Sequence, residues 1–217
     1  PNFLFSSTAA VYGIPETGIC SETSSTNPIN PYGRSKLMTE WMLADTAAAT
    51  NLNYDALRYF NVAGASNSGK IGEIERSHGH LFKNLAIQSL ELKPLVNIYG
   101  KNYKTRDGTC VRDYIHVSDL AEIHIKLLKK IKKNNRSVLL NCGYGRGYSV
   151  EEIVKIFRKI KKNVKVIYRA RRNGDVAQIY SNPKKIKKYL DWEPKYNNIN
   201  KILTSAIDWE KKLKKFI

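Results

Sequence analysis

Acidic residues are scarce in this chain. Its 217 residues hold 19 Asp and Glu against 37 Lys and Arg, a formal net charge of +18. Cysteine is scarce too. Cys20, Cys110 and Cys142 are the only three, and no pair forms C-x-x-C. An odd count without metal spacing excludes a fully paired disulfide framework and suits reduced, buried thiols in a cytoplasmic protein. There are four histidines, and His78 and His80 form H-G-H without another His or Cys nearby, so no metal centre is expected. No apolar run reaches the length of a membrane span, so no membrane partner is expected. The opening residues, PNFLFSSTAAVYG, lack the basic segment of a secretory leader. They read as the inside of a strand, and the first residue is Pro1 rather than Met, so upstream sequence is expected.

The positive charge is unevenly placed. Residues 1–108 hold 10 basic and 9 acidic residues; residues 109–217 hold 27 and 10. Such a half suits a polyanion. Yet 20 of those 27 are Lys, in runs such as KLLKKIKKNN and PKKIKKYL, and no nucleic-acid-reading motif accompanies them. Solvated helix faces are the expectation, without a specific nucleic-acid partner.

What is present alternates. NFLFSS, YDALRYFNVAG, LVNIYG, RDYIHV, SVLLNCG and VKVIY read as strands. YGRSKLMTEWMLADTAAAT reads as a helix with Leu37, Trp41, Ala44 and Ala48 on its apolar stripe. LFKNLAIQSLEL is a second helix. Ser118 is the expected cap of a third, and Ser149 with Glu152 forms a capping-box pattern for a fourth. Helices over about 183–190 and 199–214 finish the chain. Strand–helix alternation predicts an α/β fold with a mostly parallel sheet.

Glycine-rich stretches give little. GYGRG at 143–147 has the wrong spacing for a dinucleotide turn and reads as an ordinary turn. GASNSGK at 64–70 matches a phosphate loop, but Ile71 follows where a Mg²⁺-binding hydroxyl belongs. RRNGD at 171–175 reads as a charged contact loop or a plain turn.

Tyr32 and Lys36, in NPINPYGRSKLMTE, lie one helical turn apart. A second Y-x-x-x-K, Tyr180 to Lys184, is interrupted by Pro183, so spacing by itself proves nothing. Context separates them. Upstream of Tyr32 stands FSSTAAVYG; downstream stand LRYFNVAGAS and DGTCVRDYIHVSDLAEIH. Together these resemble the UDP-glucose 4-epimerases of the extended short-chain dehydrogenase/reductase family, over the whole length of the chain.

The resemblance implies a partial Rossmann-type parallel sheet with helices on both faces, plus a smaller C-terminal substrate-binding lobe. Residues 1–164 would belong mainly to the NAD-binding domain, with substrate-binding segments interleaved; 165–217 would complete the UDP-sugar lobe. It implies NAD as cofactor, a UDP-sugar as substrate and a homodimer when complete. Tyr32 would be the base, Lys36 its electrostatic tuner, and Thr8 a hydrogen-bond partner of the reacting hydroxyl. Ser6, Tyr32, Lys36 and Phe60 would meet the cofactor. Thr8, Asn61, His80, Leu81, Asn97, Tyr99, Arg112, Arg172, Asp175 and Ile179 would meet the substrate. The phenol's ordinary pKa is about 10, and a neighbouring ammonium stabilises its phenolate.

The sequence departs from the family at His80, where some members carry Asn, and at Ile179, where some carry Tyr. The Gly-rich turn and acidic ribose ligand of a Rossmann half are absent, so a missing N-terminal half or partner chain is expected, and residues 1–217 by themselves should not turn over. Two alternatives stay open. One is a UDP-N-acetylglucosamine 4-epimerase or another nucleotide-sugar epimerase or dehydratase. The other is a non-catalytic remnant whose basic half binds polyanions.

Overall fold

The structure is a computed structural model that describes residues 1–74, 80–131 and 136–215. His78 of the H-G-H stretch lies outside the described residues.

Among the described residues, three sheets carry the chain. The first is parallel throughout, in the order β1 (Asn2–Thr8), β3 (Asn53–Tyr59), β7 (Val138–Cys142). The central β3 buries Asp55, Ala56, Leu57 and Arg58 in succession, as a strand covered on both faces must. The second sheet runs β2 (Ile19–Cys20), β10 (Gln178–Ser181), β6 (Val111–His116), β4 (Asn61–Ala63), with β8 (Gly147–Ser149) antiparallel to β6. The third pairs β5 (Leu95–Tyr99) with β9 (Lys165–Arg169) in parallel.

Among the described residues, six α-helices pack on them: α1 (Pro31–Ala49), α2 (Leu81–Ser89), α3 (Val117–Ile131), α4 (Val150–Ile160), α5 (Lys184–Leu190) and α6 (Ile199–Leu213). Successive residues of β3 show which face each covers. Arg58 reaches Glu40 on α1, and its neighbour Tyr59 reaches His124 on α3. Adjacent side chains of a strand point oppositely, so α1 and α3 lie on opposite faces of the sheet. The α/β class and the helices on both faces are thus as the sequence implied.

Three sequence expectations need correcting. The stretch YDALRYFNVAG is not one strand: it breaks at Phe60, whose N–H donates to the Cys142 carbonyl at 3.1 Å, and resumes in a different sheet. The inward stripe of α1 is Gly33, Leu37 and Glu40, while Trp41 is 57% exposed and Ala44 and Ala48 are exposed as well. A buried ion pair at Glu40 turns the helix that way, as described below. Ser118 is not the cap of α3; its own N–H donates to His116 Nδ1 at 3.1 Å, inside a helix that begins at Val117. The capping box at Ser149 and Glu152 is formed as the pattern predicts.

The glycine motifs are local devices. In Gly64–Lys70 the Ser66 N–H bonds the Ile71 carbonyl and the Gly69 N–H bonds the Ser66 carbonyl. The N–H groups of Ser68 and Lys70 go to the Ser66 and Ser68 hydroxyls. These donors are spent inside the loop, so it does not cradle a phosphate. The turn of GYGRG is held by buried Asp113, which accepts from the Tyr144 and Gly145 N–H groups at 2.9 Å each.

The charged half is partly structural. Lys126 and Lys130 of α3 reach across to the last carbonyls of α5: Lys126 Nζ donates to Asp191 O at 2.9 Å, and Lys130 to Tyr189 O. Both answer the negative end of a helix dipole. Lys83 and Glu210 form a buried pair at 2.6 Å that joins α2 to α6.

Candidate active site

The ends of the first two sheets meet at a cleft of about 510 Å³. β1 delivers Thr8 to its edge. The Thr8 Oγ1 accepts from the Ala10 N–H at 3.1 Å, capping the 3₁₀ turn Ala9–Tyr12. α1 starts beside this turn. Asn30 caps it by accepting from the Gly33 N–H at 2.8 Å, and Pro31 occupies its first position. Gly33 permits the approach: a Cβ there would lie 2.6 Å from the Ala10 carbonyl oxygen. Helix and turn are therefore nearly in contact, which sets Tyr32 next to the Thr8–Ala10 segment.

Tyr32 faces the open cleft, 56% exposed. Lys36 follows one turn later. Its Nζ donates to the Ser6 carbonyl at 2.9 Å and stands 5.9 Å from the Tyr32 ring centroid. Beneath lies a small apolar cluster, including Leu37, Phe60 and Ile179, separate from the main core. The wall continues through Asn61 and His80, then Arg112 and Asp175, which face each other at 3.6 Å. Asp175 ends a turn that begins at Arg172, with Gly174 at φ 80°. Nothing crowds Gly174, so its left-handed backbone is what calls for glycine there.

The structure thus brings Thr8, Tyr32, Phe60, Asn61, His80, Arg112, Asp175 and Ile179 together around one cleft. Ser6 and Lys36 support it from the side of the first sheet. Leu81 opens α2 directly after His80 and is not among the lining residues. Asn97, Tyr99 and Arg172 form a second group on the β5–β9 sheet. The Arg172 guanidinium stacks 3.8 Å from the Tyr99 ring centroid, and Asn97 Oδ1 accepts from Arg169 Nε at 3.0 Å.

Sequence reasoning missed Tyr59. It lines the cleft next to Phe60, accepts from Ser6 Oγ at 2.7 Å and donates to His124 Nε2 at 2.5 Å. The direction follows from His124 Nδ1, which faces the Leu120 carbonyl at 2.7 Å and must carry the proton. Burial raises the Tyr59 pKa, opposed by the Ser6 bond. The Tyr59 hydroxyl is committed on both its donor and its acceptor side. Tyr32 is the phenol presented to the cleft. Tyr59 stands in the stretch LRYFNVAGAS, where its residue type does not set it apart from an ordinary strand-end tyrosine.

Chemically the cleft offers a phenol beside an ammonium, a hydroxyl, an amide and a guanidinium. That set can hold an anionic ligand at one end and move a proton at the other. Fold and cleft define an α/β protein whose open site lies between the carboxyl ends of β1 and β3 and the amino ends of β4, β6 and β10. The family model described as GDP-mannose 4,6 dehydratase matches residues 1–204, and the chain belongs to this family. A UDP-glucose 4-epimerase of Azospirillum brasilense is 45% identical over 215 residues, which are 99% of this chain and 62% of that protein. A crystal structure of UDP-glucose-4-epimerase from Stenotrophomonas maltophila with bound NAD and formylated UDP-arabinopyranose is similar with a TM-score of 0.91 and 35% identity, covering 100% of this chain and 65% of that one. The UDP-Glc/GlcNAc 4-epimerase of Campylobacter jejuni gives a TM-score of 0.77 at 43% identity, covering 97% and 64%. The chain therefore spans somewhat under two thirds of the length of these relatives.

Proposed function

We propose that this chain is the catalytic and substrate-binding part of an NAD-dependent UDP-glucose 4-epimerase, an isomerase interconverting UDP-glucose and UDP-galactose. The observation that carries the reading is Tyr32 presented to the cleft beside Thr8, with the Lys36 ammonium fixed one turn behind it.

The residues present fit the nicotinamide end of NAD: Phe60 at the cleft floor, Tyr32 and Lys36 at its side, Ser6 behind. NAD held there would supply a reversible hydride acceptor for sugar C4. Tyr32 then accepts the 4-OH proton as phenolate and gives it back. Lys36, its ammonium held by the Ser6 carbonyl, stands one turn behind this phenol. Thr8 hydrogen-bonds the reacting hydroxyl and keeps it aimed at Tyr32. Arg112, Arg172 and Asp175 hold diphosphate and ribose, and Asn97 and Tyr99 flank the uracil. Asn61, His80, Leu81 and Ile179 shape the sugar end. Firm UDP contacts with a loosely held sugar let the ketone turn over within the site.

Residues 1–164 belong mainly to the cofactor side and 165–217 complete the UDP-sugar lobe, in a homodimer when the protein is complete. Among the described residues no helix is long and apolar enough to cross a membrane. With three buried free thiols, a cytoplasmic location is the proposal. A second reading, UDP-N-acetylglucosamine as an additional substrate, is favoured by Ile179, which lines the cleft with a side chain smaller than tyrosine.

The test is conversion of UDP-galactose to UDP-glucose by the protein that carries this chain, with NAD⁺ present. No conversion of either sugar in either direction would overturn the proposal.

A further inference from the structure

Behind the cleft lies a buried polar cluster that touches no lining pocket on the sugar side. Glu40, two turns after Tyr32, is 7% exposed on the inward face of α1. Its carboxylate accepts from Arg58 Nε at 3.0 Å and Arg58 Nη2 at 2.5 Å, and from the Ser7 hydroxyl. Ser7 is 1% exposed and Arg58 4%. The Arg58 guanidinium stacks on Tyr12 at 4.7 Å, and Tyr12 Oη donates to Asn141 Oδ1 at 2.6 Å. Asn141 Nδ2 in turn donates to the Cys20 carbonyl at 3.0 Å.

One carboxylate thus fastens α1 to two strands. Ser7 sits between Ser6, whose carbonyl holds Lys36, and Thr8, which stands in the cleft. Arg58 sits between Leu57 in the core and Tyr59 at the cleft. We propose that Glu40 is a positioning residue, which through Ser7 and Arg58 fixes Tyr32 and Lys36 relative to Thr8. It lies outside the cleft lining and acts only through these partners. An apolar contact would slide; a two-pronged, charge-assisted clamp with a third donor sets distance and rotation together. The inference rests on the epimerase reading for its catalytic consequence, and on geometry alone for the clamp.

The experiment uses three variants of the protein that carries this chain: Glu40→Gln, Glu40→Met, and the double variant Glu40→Met/Arg58→Met. Removing one partner of a buried pair destabilises, whereas replacing both by apolar side chains restores stability. In the double variant the melting temperature should recover to near wild type. Its kcat should stay depressed by about 10²-fold with KM little changed, because small misplacements of reacting groups cost that much. Recovery of kcat together with stability would overturn the positioning role and leave Glu40 a structural residue. Amide exchange gives a readout independent of turnover. Protection at Gly33 and Arg34, whose N–H groups bond Asn30, should fall in Glu40→Gln and in the stability-restored double variant. Unchanged protection there would also overturn the clamp. If the wild-type protein shows no epimerisation, the proposed function falls, and the exchange measurement still decides the clamp.

Discussion

Arg112 Nη2 and Asp175 Oδ1 stand 3.6 Å apart in the lining of the cleft, each half-turned toward the other. Two residues proposed to hold the diphosphate and ribose of a UDP-sugar thus stand as an ion pair of opposite charge. A diphosphate carries the same sign as Asp175 and must share or take over its arginine. Asp175→Asn should therefore tighten inorganic pyrophosphate severalfold, as expected for a partly exposed pair. The same change should weaken UDP if Asp175 also holds the ribose. Arg112→Met should weaken both ligands by about tenfold or more, since a charge-assisted bond is lost. Calorimetry on wild type and the two variants with each ligand, six combinations in all, reads this directly, and affinities equal to wild type in both variants would remove the pair from the binding site.

Tyr32→Phe removes the phenolic oxygen and leaves the ring. Turnover should fall by about 10²–10⁴-fold, the usual worth of a positioned acid–base group, while UDP-sugar binding persists. Steady-state kinetics with a parallel binding measurement checks both halves. Near-normal turnover would take Tyr32 out of the reaction.

Asp55 is an acid in the middle of a central strand, 1% exposed, and burial pushes its pKa up to about 6. The Val138 N–H, at 3.2 Å, offsets this only in part. A raised acid pKa means that the folded state holds its proton more tightly than the unfolded chain. Its contribution to stability is therefore full below about pH 4 and is lost as pH rises through about 6. Asp55→Asn removes the ionisation and keeps an acceptor for Val138. Relative to wild type it should gain up to about 3 kcal/mol above pH 6 and little below pH 4. Urea denaturation of both proteins at the two pH values measures the difference, and a gain independent of pH would refute the charge argument.

The basic half should bind nucleic acid only weakly. Lys126 and Lys130 are engaged at the end of α5. Fluorescence anisotropy with duplex and single-stranded DNA at two salt concentrations should show weak, steeply salt-dependent association. Saturable submicromolar binding at physiological salt would revive a polyanion-binding role for this half.

Much of this architecture is legible in the sequence because it depends on local rules. The capping box at Ser149, the cap and proline at Asn30 and Pro31, and strand–helix alternation all act within a few residues. The break at Phe60 is not local. RYFNVA has unbroken strand character, and only pairing with β7 on one side and β6 on the other divides it. The α1 stripe was misread for a similar reason. Trp41 outranks Glu40 in hydropathy, yet Glu40 is inside because Arg58, eighteen positions on, supplies its counter-charge. Thr8, Tyr32, Phe60, Asn61, His80, Arg112, Asp175 and Ile179 line one cleft, whereas Asn97, Tyr99 and Arg172 form a group outside its lining. The Ser7–Glu40–Arg58 clamp did not announce itself, since each member reads as an ordinary surface polar residue until the fold makes them neighbours.

The single-residue passage at Phe60 has an evolutionary consequence. Tyr59 ends a strand of one sheet and Asn61 begins a strand of another, with no linker between. A recombination joint placed there would fall between two anchored strands, because Tyr59 pairs with Cys142 and Asn61 with Tyr114. Asn61 and Val62, at the start of the second strand, line the cleft, so a splice at this joint would disturb the cleft wall as well.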